Sequence, residues 1–191
     1  MSSMSDDVRE RILRTASELF YKEGARAIGI DLVIERAGVA KASLYRHFRT
    51  KDDLIAAFLE REDADFWGTW DRVAQQHAGD ARAELDAHLA WIGERVARPN
   101  YRGCPQLNIA AEFSDPSHCA RVVAARHKHE LRERFRAIAL RMRVRDPETL
   151  ASQLLVLVNG AFVSSAMLQG TDAAALLQAA AHALIDRSTA A

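Results

Sequence analysis

Val33-Ile34-Glu35-Arg36-Ala37-Gly38-Val39-Ala40-Lys41-Ala42-Ser43-Leu44-Tyr45-Arg46-His47-Phe48-Arg49-Thr50-Lys51 is the stretch that decides the fold. Apolar residues at Ile30, Val33, Ile34 and Ala37 recur at three- and four-residue steps, the period of one helical face, and Gly38 breaks that pattern ahead of Val39. Beyond the break Leu44 and Phe48 stand four apart, so together with Val39 they point to one side of a second short helix over residues 40–48. Two short helices joined by a tight turn at a glycine form a helix-turn-helix, and the spacing turns Lys41, Ala42, Ser43, Tyr45 and Arg46 outward.

Charge is concentrated on this stretch. From Ala37 to Lys51 it carries Lys41, Arg46, Arg49 and Lys51 together with His47 and no acid, whereas in the whole chain Lys+Arg 26 cancel Asp+Glu 26. Bulk charge therefore gives no reason to propose nucleic acid, an anionic membrane or an acidic substrate, and a local patch must meet any such partner. Small residues at Ala40, Ala42 and Ser43 let the second helix approach base edges in a major groove. Tyr45, His47 and Lys51 supply donors at positions suited to phosphates. Arg46 and Arg49 have three options: phosphate, bulk water, or an ion pair with Asp52 or Asp53. The alternative for the whole set is a solvated basic face.

Outward from this stretch the pattern is helical throughout. Val8, Ile12, Leu13, Ala16, Leu19 and Phe20 mark a first helix, capped by Asp6 or Asp7 and ended by Gly24. Thr50 is placed as an N-cap ahead of Asp52 and Asp53, opening a long connecting helix with Leu54, Ile55, Phe58, Leu59, Phe66, Trp67 and Trp70, to about His77. Gly79 and Asp80 precede a helix that must stop near Pro99, and a short helix fits Leu107 to Glu112. Asp115-Pro116 and Asp146-Pro147 each offer a cap followed by Pro at the first helical position, predicting helices to Arg143 and to Leu168. A last helix follows from Asp172 to Arg187, with inward positions Leu176, Leu177, Ala180, Leu184 and Ala183. No segment has strand periodicity, so the fold class is all-α.

Composition agrees. A chain of 191 residues with 49% hydrophobic and 27% charged residues holds one compact domain or two small ones and buries a real core. Only Gly 9 and Pro 4, against abundant Ala, favour long helices. Two cysteines build no disulfide framework, and the N-terminal residues show no apolar run of signal-peptide type, which predicts a cytoplasmic chain. Purely apolar stretches such as Leu54 to Leu59 and Leu154 to Val158 fall far short of a membrane span.

On these residues the sequence resembles the TetR family of transcriptional regulators. The likeness rests on a first amphipathic helix ending in Phe20 and Gly24, on Ala37-Gly38-Val39-Ala40-Lys41-Ala42-Ser43-Leu44-Tyr45-Arg46-His47-Phe48, and on Thr50-Lys51-Asp52-Asp53-Leu54, about the first quarter of the chain. The resemblance implies an N-terminal three-helix DNA-binding domain at residues 6–52, followed at 53–191 by a helical domain that binds a small effector and dimerises. It also implies a repressor more often than an activator. Gly103-Cys104-Pro105 through Asn108-Ile109-Ala110-Ala111-Glu112-Phe113 is similar to a TetR subgroup. The chain departs from the pattern at Ile28 and Gly29, where many members carry Thr and Ser; the hydroxyls that cap the second helix and touch phosphate are missing here.

Effector residues are expected among Trp70, Trp91, Phe113 and Phe162, aromatic walls suited to a drug-sized ligand, with Asn108 and Glu112 as polar groups four apart on the short helix. Trp67 and Met167 are further candidates, and ordinary core packing is the alternative for each. Cys104 reads as a plain thiol or as an electrophile sensor beside Arg102. His118-Cys119 and His127-Lys128-His129 invite a metal, but neighbours one or two apart do not share a helix face. His129-Glu130 lacks the second His of a zinc-protease helix, since Glu133 stands in its place, and no phosphate loop, nucleophile elbow or CxxC pair occurs. The sequence thus predicts no catalytic residues, no cofactor and no metal.

The last two predicted helices carry Leu150, Leu154, Leu157, Gly160 and Ala161, and Leu176, Ala179, Ala180 and Ala183, small and apolar faces that allow a four-helix homodimer interface. Such a dimer calls for a near-palindromic double-stranded operator with half-sites about 35 Å apart. The competing reading is an α-helical small-molecule-binding protein or enzyme that retains the helix-turn-helix head.

Overall fold

The computed structural model describes residues 2–189, and all regular structure among them is helical: α1 (Ser2–Glu23), α2 (Ile30–Ala37), α3 (Lys41–His47), α4 (Lys51–Gln76), α5 (Ala81–Val96), α6 (Pro105–Ala111), α7 (Cys119–Arg141), α8 (Pro147–Val163), α9 (Ser165–Leu168) and α10 (Ala173–Thr189). The chain forms two compact units, one of residues 1–64 with 105–125, the other of 65–104 with 126–191. The expected second domain runs to residue 191, and its last two residues lie outside the described ones.

Unit 1 is built on the apolar faces read from the sequence. Ile12, Leu13, Ala16 and Phe20 of α1, Val33 and Ala37 of α2, Leu44 and Phe48 around α3, and Leu54, Ile55, Phe58 and Leu59 of α4 share one buried core, joined by Ile109, Ala120 and Val123. Phe20 meets Phe58 edge to face at 6.0 Å between ring centroids. The turn between α2 and α3 closes at Gly38 in the left-handed region (φ 60), with Gly38 and Val39 N–H groups donating to Glu35 and Ile34 carbonyls.

Unit 2 packs α10 on α5 and on α8, and α5 on α8. Its buried residues include Leu85, Leu89, Ile92 and Val96 of α5, Leu131, Phe135 and Ile138 of α7, and Leu150, Leu154, Val158 and Phe162 of α8. Phe66, Trp67, Trp70, His88, Trp91, His127 and Phe135 form an aromatic cluster within it.

Three expectations about element ends and one about a buried face need correction. α1 begins at Ser2, so Asp6 and Asp7 lie inside the helix and neither caps it. Asp115 does not start a helix at Pro116: its carboxylate takes the N–H and hydroxyl of Ser117, which closes a turn, and α7 begins at Cys119 with His118 Nδ1 accepting the Ala120 N–H at 3.2 Å. The helix from Pro147 ends at Val163, Ser164 separating it from the short α9. The inward stripe of α10 is Ala173, Leu177, Ala181 and Ile185, which leaves Leu176 53% exposed and Ala183 exposed too. By contrast Asp146 caps α8 by accepting the Thr149 N–H, with Pro147 at the first helical position, as the sequence predicts.

Candidate nucleic-acid interface

The second helix of the pair is pinned from below and open above. Leu44 is fully buried and Phe48 3% exposed, while Lys41, Ala42, Tyr45 and Arg46 are exposed and Ser43 and His47 half-buried. A helix anchored by residues four apart must present the intervening positions on its far side. Gly29 precedes α2 in extended conformation without a side-chain cap, the local consequence of the missing hydroxyl.

The basic groups differ in how they are held. Lys41 Nζ donates to Asp31 Oδ1 at 3.1 Å across the turn, and this hydrogen bond, then the Asp31 charge, raises the lysine pKa. Lys51 is half-buried, its Nζ 3.5 Å from the Arg26 carbonyl; burial lowers its pKa, against the opposing pull of Glu112 and Asp52. Thr50 and Asp53 cap α4 reciprocally, Asp53 N–H to Thr50 Oγ1 and Thr50 N–H to Asp53 Oδ2, each at 3.0 Å. Asp52 Oδ1 faces His118 Nε2 at 3.5 Å. With both acids so engaged, Arg46 and Arg49 form no ion pair among the described residues, which leaves their charges free for a partner.

Asp52, His118 and Cys119 bring one potential metal-ligand atom each within 4.8 Å of one another. Their groups already have partners, however. His118 Nδ1 serves as the cap acceptor of α7, which puts the proton of the neutral ring on Nε2, toward Asp52, while the Cys119 thiol donates to the Asp52 carbonyl at 3.4 Å. Burial and then Asp52 push the Cys119 thiol pKa up, away from the thiolate a metal requires. In the second histidine run, His127 is buried between Phe66 and Trp67, Lys128 Nζ lies 3.6 Å from Cys104 Sγ, and His129 is exposed.

The six expected effector residues divide between the units. In unit 2, buried Trp70 stacks on His88, half-buried Trp91 packs on Phe66, and Phe162 lies beneath the Lys128 ammonium at 5.1 Å. In unit 1, Asn108 is exposed, Phe113 stacks on His118 at 3.7 Å, and the Glu112 carboxylate accepts backbone N–H bonds from Ala25 and Arg26. Two grooves of about 600 and 310 Å³ open on unit 2, along α7, α8 and α10 and along α8, α9 and α10; none of the six residues lines either. Asp31 and the Ala25–Arg26 backbone are the partners the sequence did not reveal, since they pair across turns or across more than eighty residues.

Comparison with known proteins places the same segment at the centre. The sequence profile described as bacterial regulatory proteins, tetR family, matches residues 12–58. SCO4454, a TetR-family transcriptional regulator of Streptomyces coelicolor, superposes with a TM-score of 0.91 at 26% identity over 97% of both chains. The Streptomyces avermitilis protein sav143, assigned to the TetR transcriptional regulators, gives a TM-score of 0.81 at 31% identity, covering 95% of this chain and 97% of its own. The HTH-type transcriptional repressor NemR of Escherichia coli K12 is 28% identical over 112 residues, 58% of this chain and 56% of NemR, so the chain spans little more than half of that relative.

Proposed function

Because the chain belongs to the TetR family of bacterial regulatory proteins, we propose that it is a homodimeric, sequence-specific DNA-binding transcriptional regulator, a repressor released from a near-palindromic operator by a small-molecule effector. One observation carries the DNA reading: Lys41, Ala42, Tyr45 and Arg46 stand exposed on a helix whose other side, Leu44 with Phe48 behind it, is buried in the head. Residues 6–52 serve the operator, Lys41, Ala42 and Ser43 at base edges, Tyr45, Arg46, His47 and Lys51 at phosphates. Residues 53–191 serve the effector and the partner subunit.

Dimerisation is proposed through α8 and α10. Val156, Val163 and Leu176 are 71%, 74% and 53% exposed, an apolar face beside the two grooves of unit 2. A two-fold axis there gives two recognition helices and half-sites about 35 Å apart. For the effector, the aromatic residues of unit 2, Trp70 and Trp91 in the cluster around Phe66 and Phe162 beside Tyr101, support a largely apolar ligand.

The deciding experiment is selection of duplexes from a random-sequence pool by the purified protein, followed by footprinting. Enrichment of an inverted repeat with half-sites one helical turn apart is the expected result. Recovery of no common sequence would remove the DNA reading.

A further inference from the structure

α6 ends at Ala111, and the residue after it reaches into the turn between α1 and α2. The Glu112 carboxylate accepts the Ala25 N–H at 3.0 Å and the Arg26 N–H at 2.6 Å, and the Glu112 carbonyl accepts from the Arg26 guanidinium at 3.1 Å. The fit is close on the other side as well. Gly24 sits at φ +89, a conformation that favours glycine, and a Cβ built on it would lie 3.0 Å from Glu112 Oε1 and crowd the carboxylate. A carboxylate accepts several N–H bonds at once, and such charge-assisted bonds are strong, whereas a carboxamide offers only one acceptor oxygen.

The contact continues to the proposed DNA face. Arg26 donates its N–H to Glu112, and its carbonyl accepts from Lys51 Nζ at 3.5 Å. The segment bearing Glu112 is itself held on its far side, where Phe113 lies flat on His118 and the Phe113 carbonyl accepts from the Arg121 guanidinium at 3.2 Å. Glu112 therefore bridges an anchored segment and the loop on which a half-buried lysine rests.

We propose that Glu112 is a positioning residue for DNA binding: its carboxylate fixes the Gly24–Arg26 turn and, through the Arg26 carbonyl, aims the Lys51 ammonium at a backbone phosphate. This rests on the DNA-binding reading above. It also gives Glu112 a role different from the effector contact expected from the sequence.

The test compares wild type, Glu112→Gln, Glu112→Ala, Lys51→Ala and the double variants on a duplex that the wild-type protein has selected from a random-sequence pool. Affinity is read by fluorescence anisotropy over a series of salt concentrations, and exchange of the Ala25 and Arg26 amides by NMR. Loss of Glu112 is expected to speed exchange at both amides, weaken binding about tenfold and reduce the salt slope by about one ion. In the Lys51→Ala background, the same substitutions should cost affinity little further. A purely structural role would lower the melting temperature and leave the salt slope unchanged; that result overturns the proposal, as does an equal affinity loss in both backgrounds. Should Glu112→Ala fail to fold, Glu112→Gln, nearly isosteric, carries the same comparison. If the wild-type protein selects no duplex, the DNA reading itself falls; if it does and Glu112→Gln binds equally well, only the role of Glu112 falls.

Discussion

His88 lies flat against Trp70, ring centroids 3.7 Å apart and planes 15° from parallel, and neither imidazole nitrogen meets a hydrogen-bonding partner among the described residues. The His88 pKa is lowered from 6.5 to about 4: burial is the main cause, Glu84, whose Oε1 lies 3.8 Å from Nε2, opposes it, and Arg134 and His77 add to it. The unfolded chain, with an ordinary imidazole, binds the proton that the folded protein refuses. His88 thus contributes stability that is complete above about pH 6.5 and lost as the pH falls toward 4. At pH 5 the loss should be on the order of 2 kcal/mol. Urea unfolding of wild type and His88→Phe, which keeps a ring on Trp70, is the measurement. The variant should lose less stability between pH 7.5 and 5; equal losses would mean that His88 does not titrate across the transition.

Asp31 holds Lys41 in an exposed ion pair, with Nζ to Oδ1 at 3.1 Å. For the ammonium to meet a phosphate, that pair must open or share its proton donor, and the Asp31 charge itself repels DNA. Asp31→Asn should therefore tighten binding to the selected operator by a few fold and steepen its salt dependence by up to about 0.9 per phosphate gained. Anisotropy titrations at several ionic strengths read both quantities. Weaker binding by the variant would show that Asp31 orients Lys41 rather than restrains it.

Gly93 on α5 permits the close approach of α10. A Cβ there would fall 2.3 Å from the Ala174 Cα and 2.4 Å from its N, backbone atoms that no rotamer change can move aside. Gly93→Ala should cost about 3 kcal/mol or more, since helix propensity gains at most about 1 kcal/mol. A melting temperature equal to that of wild type would contradict the packing of α5 on α10.

These cases show where sequence reading succeeds and where it stops. Local rules carried the elements: the apolar period placed Leu44 and Phe48 inward, and Thr50 with Asp53 and Asp146 with Pro147 marked the starts of α4 and α8 because a cap acts over only three residues. The same rule failed at Asp115, whose carboxylate found a hydroxyl at Ser117 and closed a turn instead. In α10 every residue of an Ala- and Leu-rich run can be buried, so composition cannot choose the stripe; approach to Gly93 does, at Ala173 and Ala174. The outward face of α3 was legible from spacing, whereas the Glu112 contact was not. Its partners are backbone N–H groups, which every residue but proline carries and which therefore leave no mark in a sequence.

The face bearing Val156 and Leu176 gives the last prediction. Both side chains are largely solvent-exposed in the single chain, at 71% and 53%, so a charge at either position disturbs no buried contact of the fold. In a four-helix interface built from α8 and α10 of two copies, however, Val156→Glu and Leu176→Glu would place like charges near the two-fold axis, in surface that loses its water. Each variant should fold with the helix content of wild type, yet sediment with half its mass at micromolar concentration. Operator binding should fall by about a hundredfold or more, because the second head then no longer binds as part of the same molecule as the first. Sedimentation velocity and anisotropy on the same preparations separate the two effects: unchanged mass in both variants would place the subunit interface elsewhere, and a halved mass with undiminished affinity would mean that a single head suffices for the operator.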